Sequence, residues 1–543
     1  MTEKGKILKS ASVVALATVI SRICGYLRDQ RVAVLLGTSP AADSFILAFR
    51  IPNMIRRMTG EGALGASFIP VFTGYLRGKP RKEAWMFAQR AFWDTAAILA
   101  VVAVLGCAFS RQVIGIFTAL GMKHVRWDLA IYLNRIIFPC VLFLGLAALA
   151  SAILNSFHRF GLPASTSIFF NLVFIAFSFA AIYQPIMKRA PTAYRSPAVA
   201  LATGILLGSV LQLVIQLPAL AKLGMRFRPD VNFDDPGVKK VSKLMAPAFF
   251  GAGVFQVNFF VDTIFAASSR MPTGSITSLY VADRVMELVL GVYAIAISTV
   301  ILPTMSHQVA GGKHDEMKQT FGFALRVVSF ITIPAAVGLI LLRVPITQVL
   351  FQHGEFIAES TALTAHALLF YSLGLPAFAA IKLITPMYYS TQDTLTPTKV
   401  GAYALGLHLT LNVVLLYGFG RFLWNASPAL ASSLAAYFNF GALFLIFRGR
   451  HGALGTRAVL GSLAKTIACA TAMAAVCFAT LKYLHFATAE HLLARAALLF
   501  AMIAVSTGIY FGLAWVLRCE ELPELFLLLR RAEPEVAATG LDV

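Results

Sequence analysis

The chain has 543 residues, of which 58% are hydrophobic and 13% are charged. Soluble domains carry about one quarter charged residues, so this composition excludes an ordinary soluble protein. The formal charge of +21 would suggest a nucleic-acid partner in a soluble chain. Here the Lys and Arg residues are scattered among short loops and the ends of apolar runs, as the positive-inside rule of membrane proteins expects, and no nucleic-acid partner is predicted. The six cysteines show no metal-binding or disulfide spacing.

Apolar runs recur along the chain at the length of about 20 residues that crosses a bilayer. They predict an all-α polytopic membrane protein with about fourteen spans, at approximately 12–37, 41–75, 85–110, 127–154, 163–185, 197–221, 238–268, 276–307, 317–342, 358–389, 396–419, 427–448, 458–483 and 490–517. With the N-terminus in the cytoplasm, the basic loops 76–83 and 221–243 lie there too, so both termini are predicted to be cytoplasmic. No small-residue cleavage pattern follows the first apolar run, and the first helix is expected to be retained.

The first, second and eighth spans contain arginine where a bilayer tolerates charge least. Arg22, Arg28 and Arg56 have no carboxylate three or four residues away, whereas Arg284 has Glu287 three residues on. An arginine without a partner in a low-dielectric cavity needs an anion, either a carboxylate from another helix or a charged ligand. Because a guanidinium fork binds phosphate oxygens bidentately, these four arginines are predicted to form a diphosphate site.

Four carboxylates in these spans are predicted to balance the arginines or to gate the path. They are Asp29, Glu61, Asp283 and Glu287. Asp29 is expected to pair with a nearby arginine or to act as a gate, and Glu61 lies four residues after Arg57. Arg50 and Arg57 are expected either to line the cavity or to extend their side chains to a membrane face. Arg31, near a helix end, is expected to be an interfacial residue.

The seventh span holds a lone carboxylate, Asp262. An intramembrane Asp is a functional hypothesis by default, and here it predicts a coupling cation, with Asn412 of the eleventh span adding a neutral oxygen that Na⁺ accepts. The alternative is that Asp262 only balances a nearby lysine such as Lys382. The sequence contains no nucleophile–base pair, no phosphate-binding Gly-Lys-Ser/Thr loop and no cluster of metal ligands. The chain is therefore predicted to be a transporter rather than an enzyme, with no cofactor besides a sodium ion.

The two halves of the chain repeat four landmarks, about 233 to 241 residues apart. They are Ala42-Asp43 with Ala282-Asp283, Ile69-Pro70 with Leu302-Pro303, residues 155–163 with 389–397, and Asn171 with Asn412. An even number of spans separates the copies, so the halves share one orientation and are related by a pseudo-two-fold axis along the membrane normal. We predict two six-helix lobes, 1–225 and 226–455, followed by two additional helices and a cytoplasmic tail in 456–543.

These residues resemble the MurJ/MviN family, the lipid II flippases of bacterial peptidoglycan synthesis within the larger group of multidrug, oligosaccharidyl-lipid and polysaccharide exporters. The matching stretches are SRICGYLRD (21–29), ADSFILAFRIPNMIRRMTGEGALGASFIPVF (42–72), ILNSFHRFGLPA (153–164), YVADRVMELVLGV (280–292) and YYSTQDTLTPTK (388–399). They lie in both halves, and the resemblance extends over nearly the whole chain.

The resemblance implies a V-shaped pair of lobes around a central cationic cavity. It implies that Arg22, Arg28, Arg56 and Arg284 hold the lipid diphosphate and that Asp29 and Glu61 take part in gating and charge balance. It also implies a groove along spans 13 and 14 for the undecaprenyl tail, where composition alone favours plain packing. Asp262 and Asn412 resemble part of a sodium site, but Leu416 stands where the family pattern has a further carboxylate.

The first hypothesis is a flippase that moves lipid II from the cytoplasmic to the periplasmic leaflet by alternating access, as a monomer in the bacterial inner membrane. Membrane lipids and cell-wall synthesis proteins are its expected partners. The alternatives are a flippase for another polysaccharide-lipid, or a cation-coupled drug exporter, whose cationic substrates such a cavity would repel. A non-transporting cell-wall scaffold is a further alternative, although it would not need two repeated lobes with buried charge.

Overall fold

The computed structural model describes residues 3–58, 64–118, 120–121, 125–180, 196–452, 454–483 and 491–524. Throughout these ranges the secondary structure is helical, with one short 3-10 turn besides the α-helices. The α-helices are α1 (Glu3–Leu36), α2 (Pro40–Met58), α3 (Leu64–Gly78), α4 (Arg81–Ala108), α5 (Ser110–Gly115), α6 (Trp127–Ile137), α7 (Cys140–Ser156), α8 (Gly161–Ala180), α9 (Pro197–Val214), α10 (Leu217–Leu223), α11 (Pro236–Ala266), α12 (Ser275–Ala310), α13 (His314–Phe351), α14 (Ala358–Ser390), α15 (Leu395–Gly418), α16 (Gly420–Leu423), α17 (Ser427–His451), α18 (Thr456–Tyr483) and α19 (Leu492–Val516).

Ten helical stretches within the described ranges are long and apolar enough to cross a membrane. The prediction of an all-α, multi-pass membrane protein is confirmed, while the count of fourteen spans stays a prediction. Three predicted spans each cover two helices, α2 with α3, α6 with α7, and α9 with α10. The connection between α2 and α3 lies outside the described residues. The other two breaks fall at Pro139 between α6 and α7, and at residues 215–216 before Pro218 in the first turn of α10. Proline, which lacks an amide hydrogen, is favoured at such helix starts.

The chain packs as two compact units, Met1–Thr277 with His353–Phe356, and Ser278–Gln352 with Ile357–Val543. The first unit includes α11, which packs against α2, α3 and α4. The lobe boundaries at 225/226 and 455/456 rest on an internal repeat rather than on compactness, and they stay a prediction.

An aromatic cluster forms the core of the first unit where α3, α4 and α7 meet. Phe68 stacks on Phe87 with ring centroids 5.5 Å apart, and Trp85 stacks on Phe157 at 5.4 Å. Offset stacking adds to the energy of burying such large side chains. The cluster joins the start of α4 to the end of α7.

Two glycines of α9 allow a close approach to α8. A methyl group on Gly204 would lie 2.9 Å from Cβ of Phe177, and one on Gly208 would lie 3.0 Å from the carbonyl oxygen of Phe170. This small-xxx-small spacing lets membrane helices pack backbone to backbone. Since α8 also packs along α1, the glycines help to set where α8 meets the charged residues of α1.

The connection between α10 and α11 is attached to α4 by polar contacts. Arg90 forms ion pairs with Asp230 at 3.0 Å and with Asp235 at 2.9 Å, and the amide of Asn232 donates to Asp94 Oδ1 at 2.8 Å. Asp235 also caps the N-terminus of α11, accepting from the amide of Gly237 at 2.8 Å. This connection is therefore a defined structure, and it orients the first turn of α11.

In the second unit, α18 and α19 pack on α13 through a small apolar core. The hydroxyl of Tyr510 in α19 donates to the carbonyl oxygen of Phe330 in α13 at 2.6 Å. Arg326 of α13 pairs with Glu520, just beyond α19, at 2.7 Å. The last two long helices are thus fixed to the unit by both apolar and polar contacts.

Candidate functional site

Arg28 on α1 is held by two neighbours. Its Nε and Nη2 donate to Asp29 Oδ1 at 2.9 and 2.8 Å, and its Nη1 donates to Asn171 Oδ1 of α8 at 3.3 Å. Asn171 in turn donates from Nδ2 to the carbonyl oxygen of Ser21 at 3.3 Å. This chain of hydrogen bonds ties α1 to α8 and fixes the guanidinium group of Arg28 in one orientation.

Arg28 therefore has a partner in its own helix, contrary to the expectation from the sequence. Residues three and four positions apart share a helix face, but Asp29 is the next residue and lies outside that spacing. The arginine side chain is long enough to fold back onto its neighbour. Both side chains are largely buried, 21% and 10% exposed, so the pair provides the charge compensation that a buried arginine requires.

Two other arginines of α1 lie in different surroundings. Arg22 is exposed. Six residues separate Arg22 from Arg28, a rotation of about 240° around the helix axis, so the two side chains leave α1 from different faces. Arg31 donates from Nε to Ser178 Oγ at 3.2 Å and lies 4.3 Å above the ring of Phe179. Arg31 is therefore bound to α8, in addition to lying near the end of α1.

The arginines of α2 are partly buried. Arg56 donates from Nε to Asn53 Oδ1, one turn earlier, at 3.1 Å. The guanidinium carbon of Arg57 lies 6.0 Å from the ring centroid of Phe259 on α11, at the outer limit of a cation–π contact. Glu61, the predicted partner of Arg57, lies outside the described residues.

Asp43 at the start of α2 is almost fully buried, with 2% exposed. Its carboxylate accepts from the amides of Gly274 at 2.8 Å and Thr277 at 2.9 Å, and from the Thr277 hydroxyl at 2.7 Å. Because Ser275 is the first residue of α12, Asp43 caps this helix from more than 200 residues away in sequence. The sequence predicts Asp43 only as a landmark of the internal repeat, not as a capping residue.

The charged residues of α12 form the pair that their spacing predicts. Nη1 of Arg284 donates to Glu287 Oε2, and the guanidinium carbon lies 4.9 Å from the ring centroid of Tyr280. Asp283 is buried, with 5% exposed. Arg284 belongs to the second compact unit, whereas Arg22, Arg28 and Arg56 belong to the first.

The two residues of the predicted sodium site also lie in different compact units, Asp262 in the first and Asn412 in the second. Asp262 is buried. Asn412 donates from Nδ2 to the carbonyl oxygen of His408 at 3.1 Å. Because a carbonyl oxygen can only accept, this hydrogen bond fixes the orientation of the Asn412 amide. Its Oδ1 is buried and has no hydrogen-bond partner among the described residues, so it has the chemistry of a neutral cation ligand. Leu416, one turn later, supplies no oxygen. In the described part of the chain no three His, Cys, Asp or Glu residues form a metal-binding group.

Sequence reasoning missed the polar partners Asn171, Asn53 and Asp43. A signal existed for two of them, since Asn171 and Asp43 are landmarks of the internal repeat. A repeated polar residue inside an apolar span indicates a role in packing or binding. Asn53 lies three residues before Arg56, at the spacing of helical neighbours. A search of that spacing for carboxylates alone does not find it, because its side chain is a neutral amide.

The fold is shared with solved structures of membrane transporters. A solved structure of lipid II flippase MurJ in an inward closed conformation matches with a TM-score of 0.76 at 24% identity, covering 93% of this chain and 98% of that chain. An inward-facing multidrug resistance MATE family transporter of the MOP superfamily matches with a TM-score of 0.65 at 14% identity, covering 82% and 99%. The helices described above therefore have the fold of MOP superfamily transporters.

Sequence comparison gives the family within that class. The family model for lipid II flippase MurJ matches residues 32–497. The "Probable lipid II flippase MurJ" of Vibrio cholerae is 36% identical over 459 residues, which cover 83% of this chain and 84% of the relative. The "Lipid II flippase MurJ" of Burkholderia cenocepacia is 30% identical over 507 residues, covering 92% and 95%. The chain belongs to the lipid II flippase MurJ family, which confirms the resemblance, and it is a transporter rather than a catalyst.

Proposed function

We propose that this protein flips lipid II from the cytoplasmic to the periplasmic leaflet by alternating access. Membership of the family supports the reaction, and the observation that carries the site is Arg28. Its cation is retained inside an apolar helix and is oriented by Asp29 and Asn171. A protein that only packed helices together would have no use for such an arrangement, because a buried ion pair contributes little net stability.

Arg22, Arg28, Arg56 and Arg284 are the proposed ligands of the lipid diphosphate. Asp29 balances Arg28 between transport cycles, Glu287 does the same for Arg284, and Asp283 and Glu61 are assigned to gating or charge balance. A diphosphate competes with these carboxylates for the guanidinium groups, so its arrival exchanges one ion pair for another. Exchange of this kind allows binding without trapping the product.

The proposed setting is the bacterial inner membrane, with both termini in the cytoplasm. The two lobes 1–225 and 226–455 move against each other, and α18 and α19 accommodate the undecaprenyl tail. The protein works as a monomer alongside proteins of cell-wall synthesis. The distribution of Lys and Arg supports this orientation.

For coupling, we assign Asp262 and Asn412 to a sodium ion that biases the equilibrium between conformations. The buried Oδ1 of Asn412, which has no partner within the described ranges, supports this assignment. Leu416, which supplies no oxygen, indicates that the site is weak. The membrane potential acting on the cationic cavity is the alternative drive. In transport assays with an imposed Na⁺ gradient at fixed potential, Asp262→Asn is expected to lose sodium stimulation while lipid II binding is retained. Identical sodium responses of the two proteins would remove sodium from the mechanism.

Labelled lipid II in proteoliposomes tests the main proposal. The purified protein is expected to move label from a protected to an accessible leaflet, and Arg56→Ala is expected to abolish the transfer. A scaffold would bind lipid II without transfer. A drug exporter would move an organic cation and leave lipid II in place, and either result would overturn the proposal.

A further inference from the structure

A surface groove of about 420 Å³ lies between the first turns of α15 and the last turns of α17. It belongs entirely to the second compact unit and contains none of the residues assigned above to the diphosphate or to sodium. Its lining comprises Asp393, Leu395, Thr396, Lys399, Val400, Tyr403, Phe438, Ala442, Ile446 and Arg450.

The groove is apolar along its length and cationic at one end. Phe438, Ala442, Ile446 and Arg450 follow one another at four-residue intervals, so they form one stripe along α17. The stripe is about 18 Å long at the helical rise per residue. It changes from aromatic and aliphatic side chains to a guanidinium group at the end of the span. The small side chain of Ala442 leaves a depression in the middle.

The opposite wall also carries a cation and an aromatic ring. Leu395, Lys399 and Tyr403 form a stripe on α15 at the same four-residue spacing. Tyr403 is 70% exposed and Phe438 is 43% exposed, so neither aromatic ring is covered by protein. Lys399 and Arg450 lie nearer the ends of their helices, where long cationic side chains occupy the level of the lipid headgroups.

The cationic end keeps a net positive charge. Arg450 donates from Nη1 to Asp393 Oδ2 at 2.6 Å and to Thr396 Oγ1 at 3.2 Å. Asp393 is also engaged by the amide of Thr396, which donates to Oδ1 at 2.9 Å. Lys399 is exposed and makes no ion pair with the described residues. Two cations and one carboxylate leave one positive charge at the mouth of an apolar groove.

We propose that this groove binds an anionic phospholipid of the surrounding bilayer. The phosphodiester lies between Lys399 and Arg450, and an acyl chain runs along Phe438, Ala442 and Ile446. Charge complementarity selects the lipid class, because the net positive charge at the mouth of the groove attracts a lipid with a net negative headgroup more than a zwitterionic phosphatidylethanolamine. A soluble phosphate ester would use the cations but none of the apolar stripe, whereas basic pockets between transmembrane helices suit lipid headgroups.

Native mass spectrometry of the purified full-length protein tests this proposal, with dioleoyl phosphatidylglycerol and dioleoyl phosphatidylethanolamine added at equal concentration. The wild type is expected to retain phosphatidylglycerol in preference. Lys399→Gln/Arg450→Gln is expected to weaken that retention by about fivefold for each cation removed. Ala442→Phe, which fills the groove and leaves its charges unchanged, is expected to weaken it as well.

The control is Arg457→Gln/Lys482→Gln, which removes the same charge from the two ends of α18, away from the groove. It is expected to retain phosphatidylglycerol as the wild type does, and thermal unfolding in lipid-free detergent verifies that all variants are folded. Equal retention of the two lipids by the wild type would overturn the proposal, as would equal losses in the groove and control variants. Glycerol 3-phosphate binding as tightly as the lipid would reassign the site to a soluble phosphate.

Discussion

Arg28 shows how a single residue combines packing with chemistry. Its guanidinium group bonds to Asp29 on the same helix and to Asn171 on α8, so its position depends on two helices. Planarity matters here, because Nε and Nη2 reach one carboxylate oxygen while Nη1 reaches the amide. An ammonium group carries the same charge without this geometry.

Arg56→Ala is expected to abolish complementation of a strain depleted of its own lipid II flippase, although the protein still inserts and accumulates. Arg56 is only partly buried at the end of α2, so its removal is expected to affect ligand binding more than packing. Arg56→Lys is expected to complement poorly, because a point charge replaces the fork. Arg77→Ala, an exposed position at the end of α3, is the control and is expected to complement fully. Growth supported by Arg56→Ala would exclude this residue from the diphosphate site.

Arg28→Ala is expected to lower both transport and stability, because it removes the ion pair between Arg28 and the buried carboxylate of Asp29. The stability loss is about 1–3 kcal/mol, measured by thermal unfolding in detergent. Adding Asp29→Asn to this variant removes the charge of that carboxylate and is expected to restore part of the stability. Lipid II transfer by the double variant is expected to stay absent. Recovered transfer would show that Arg28 serves only to neutralise Asp29.

At the scale of elements, the N-termini of two helices are fixed by carboxylates, one of which comes from a distant part of the chain. Asp43 caps α12, and Asp235 caps α11 while pairing with Arg90 of α4. The sequences of long apolar helices contain few residues that determine where the helices begin or end. Polar contacts at their termini supply that information, since each satisfies backbone groups that the helix itself leaves unpaired.

Asp235→Ala is expected to destabilise the protein more than Asp230→Ala. The side chain of Asp235 is only 8% exposed, and it both caps α11 and forms an ion pair with Arg90. The side chain of Asp230 is 42% exposed, and its ion pair among the described residues is with Arg90. We expect a loss of about 1–2 kcal/mol for Asp235→Ala and less than about 1 kcal/mol for Asp230→Ala. Thermal unfolding of the two variants in one detergent provides the comparison, and equal losses would contradict the role of Asp235 as a cap.

The attachment of the segment after α19 is expected to weaken in acid. Hydrogen bonding and charge from Arg326 hold the pKa of Glu520 below its ordinary value. A lowered carboxyl pKa stabilises the folded state above the ordinary value of the group, and this contribution disappears as the pH falls through the folded pKa. The contribution is small because Glu520 is 73% exposed.

The melting temperature of Glu520→Gln is therefore expected to fall below that of the wild type at pH 7, and the difference is expected to vanish at low pH and shrink at high salt. Glu316→Gln removes the exposed ion pair between Lys313 and Glu316 at the start of α13. Its melting temperature shows the effect of losing an ion pair between residues that are close in sequence. A difference between Glu520→Gln and the wild type that persists in acid would show that the ion pair with Arg326 is not its cause.

At the scale of the whole molecule, the helical architecture was predictable because apolar runs of membrane length leave a strong trace in the sequence. The breaks before Pro139 and Pro218 were within reach as well, since proline disfavours the helix interior, but hydropathy runs straight through them. The family could also be inferred, because charged residues inside apolar spans form a distinctive pattern.

The contacts of the site were less predictable. Helical spacing found the pair of Arg284 with Glu287 but not that of Arg28 with the adjacent Asp29. The contact of Arg28 with Asn171 joins residues 143 positions apart, and no local rule identifies such a partner. It depends on how closely α8 approaches α1, which is determined by packing elsewhere in the unit.

That packing gives the two glycines of α9 an influence on ligand binding. Gly204 and Gly208 let the backbone of α8 come close, and α8 carries the amide that orients Arg28. A methyl group at Gly208 would push against Phe170, the residue next to Asn171. A genetic screen for defects in wall synthesis would therefore recover alanine substitutions at these positions beside the arginine variants, although neither glycine has any group that can hold a phosphate.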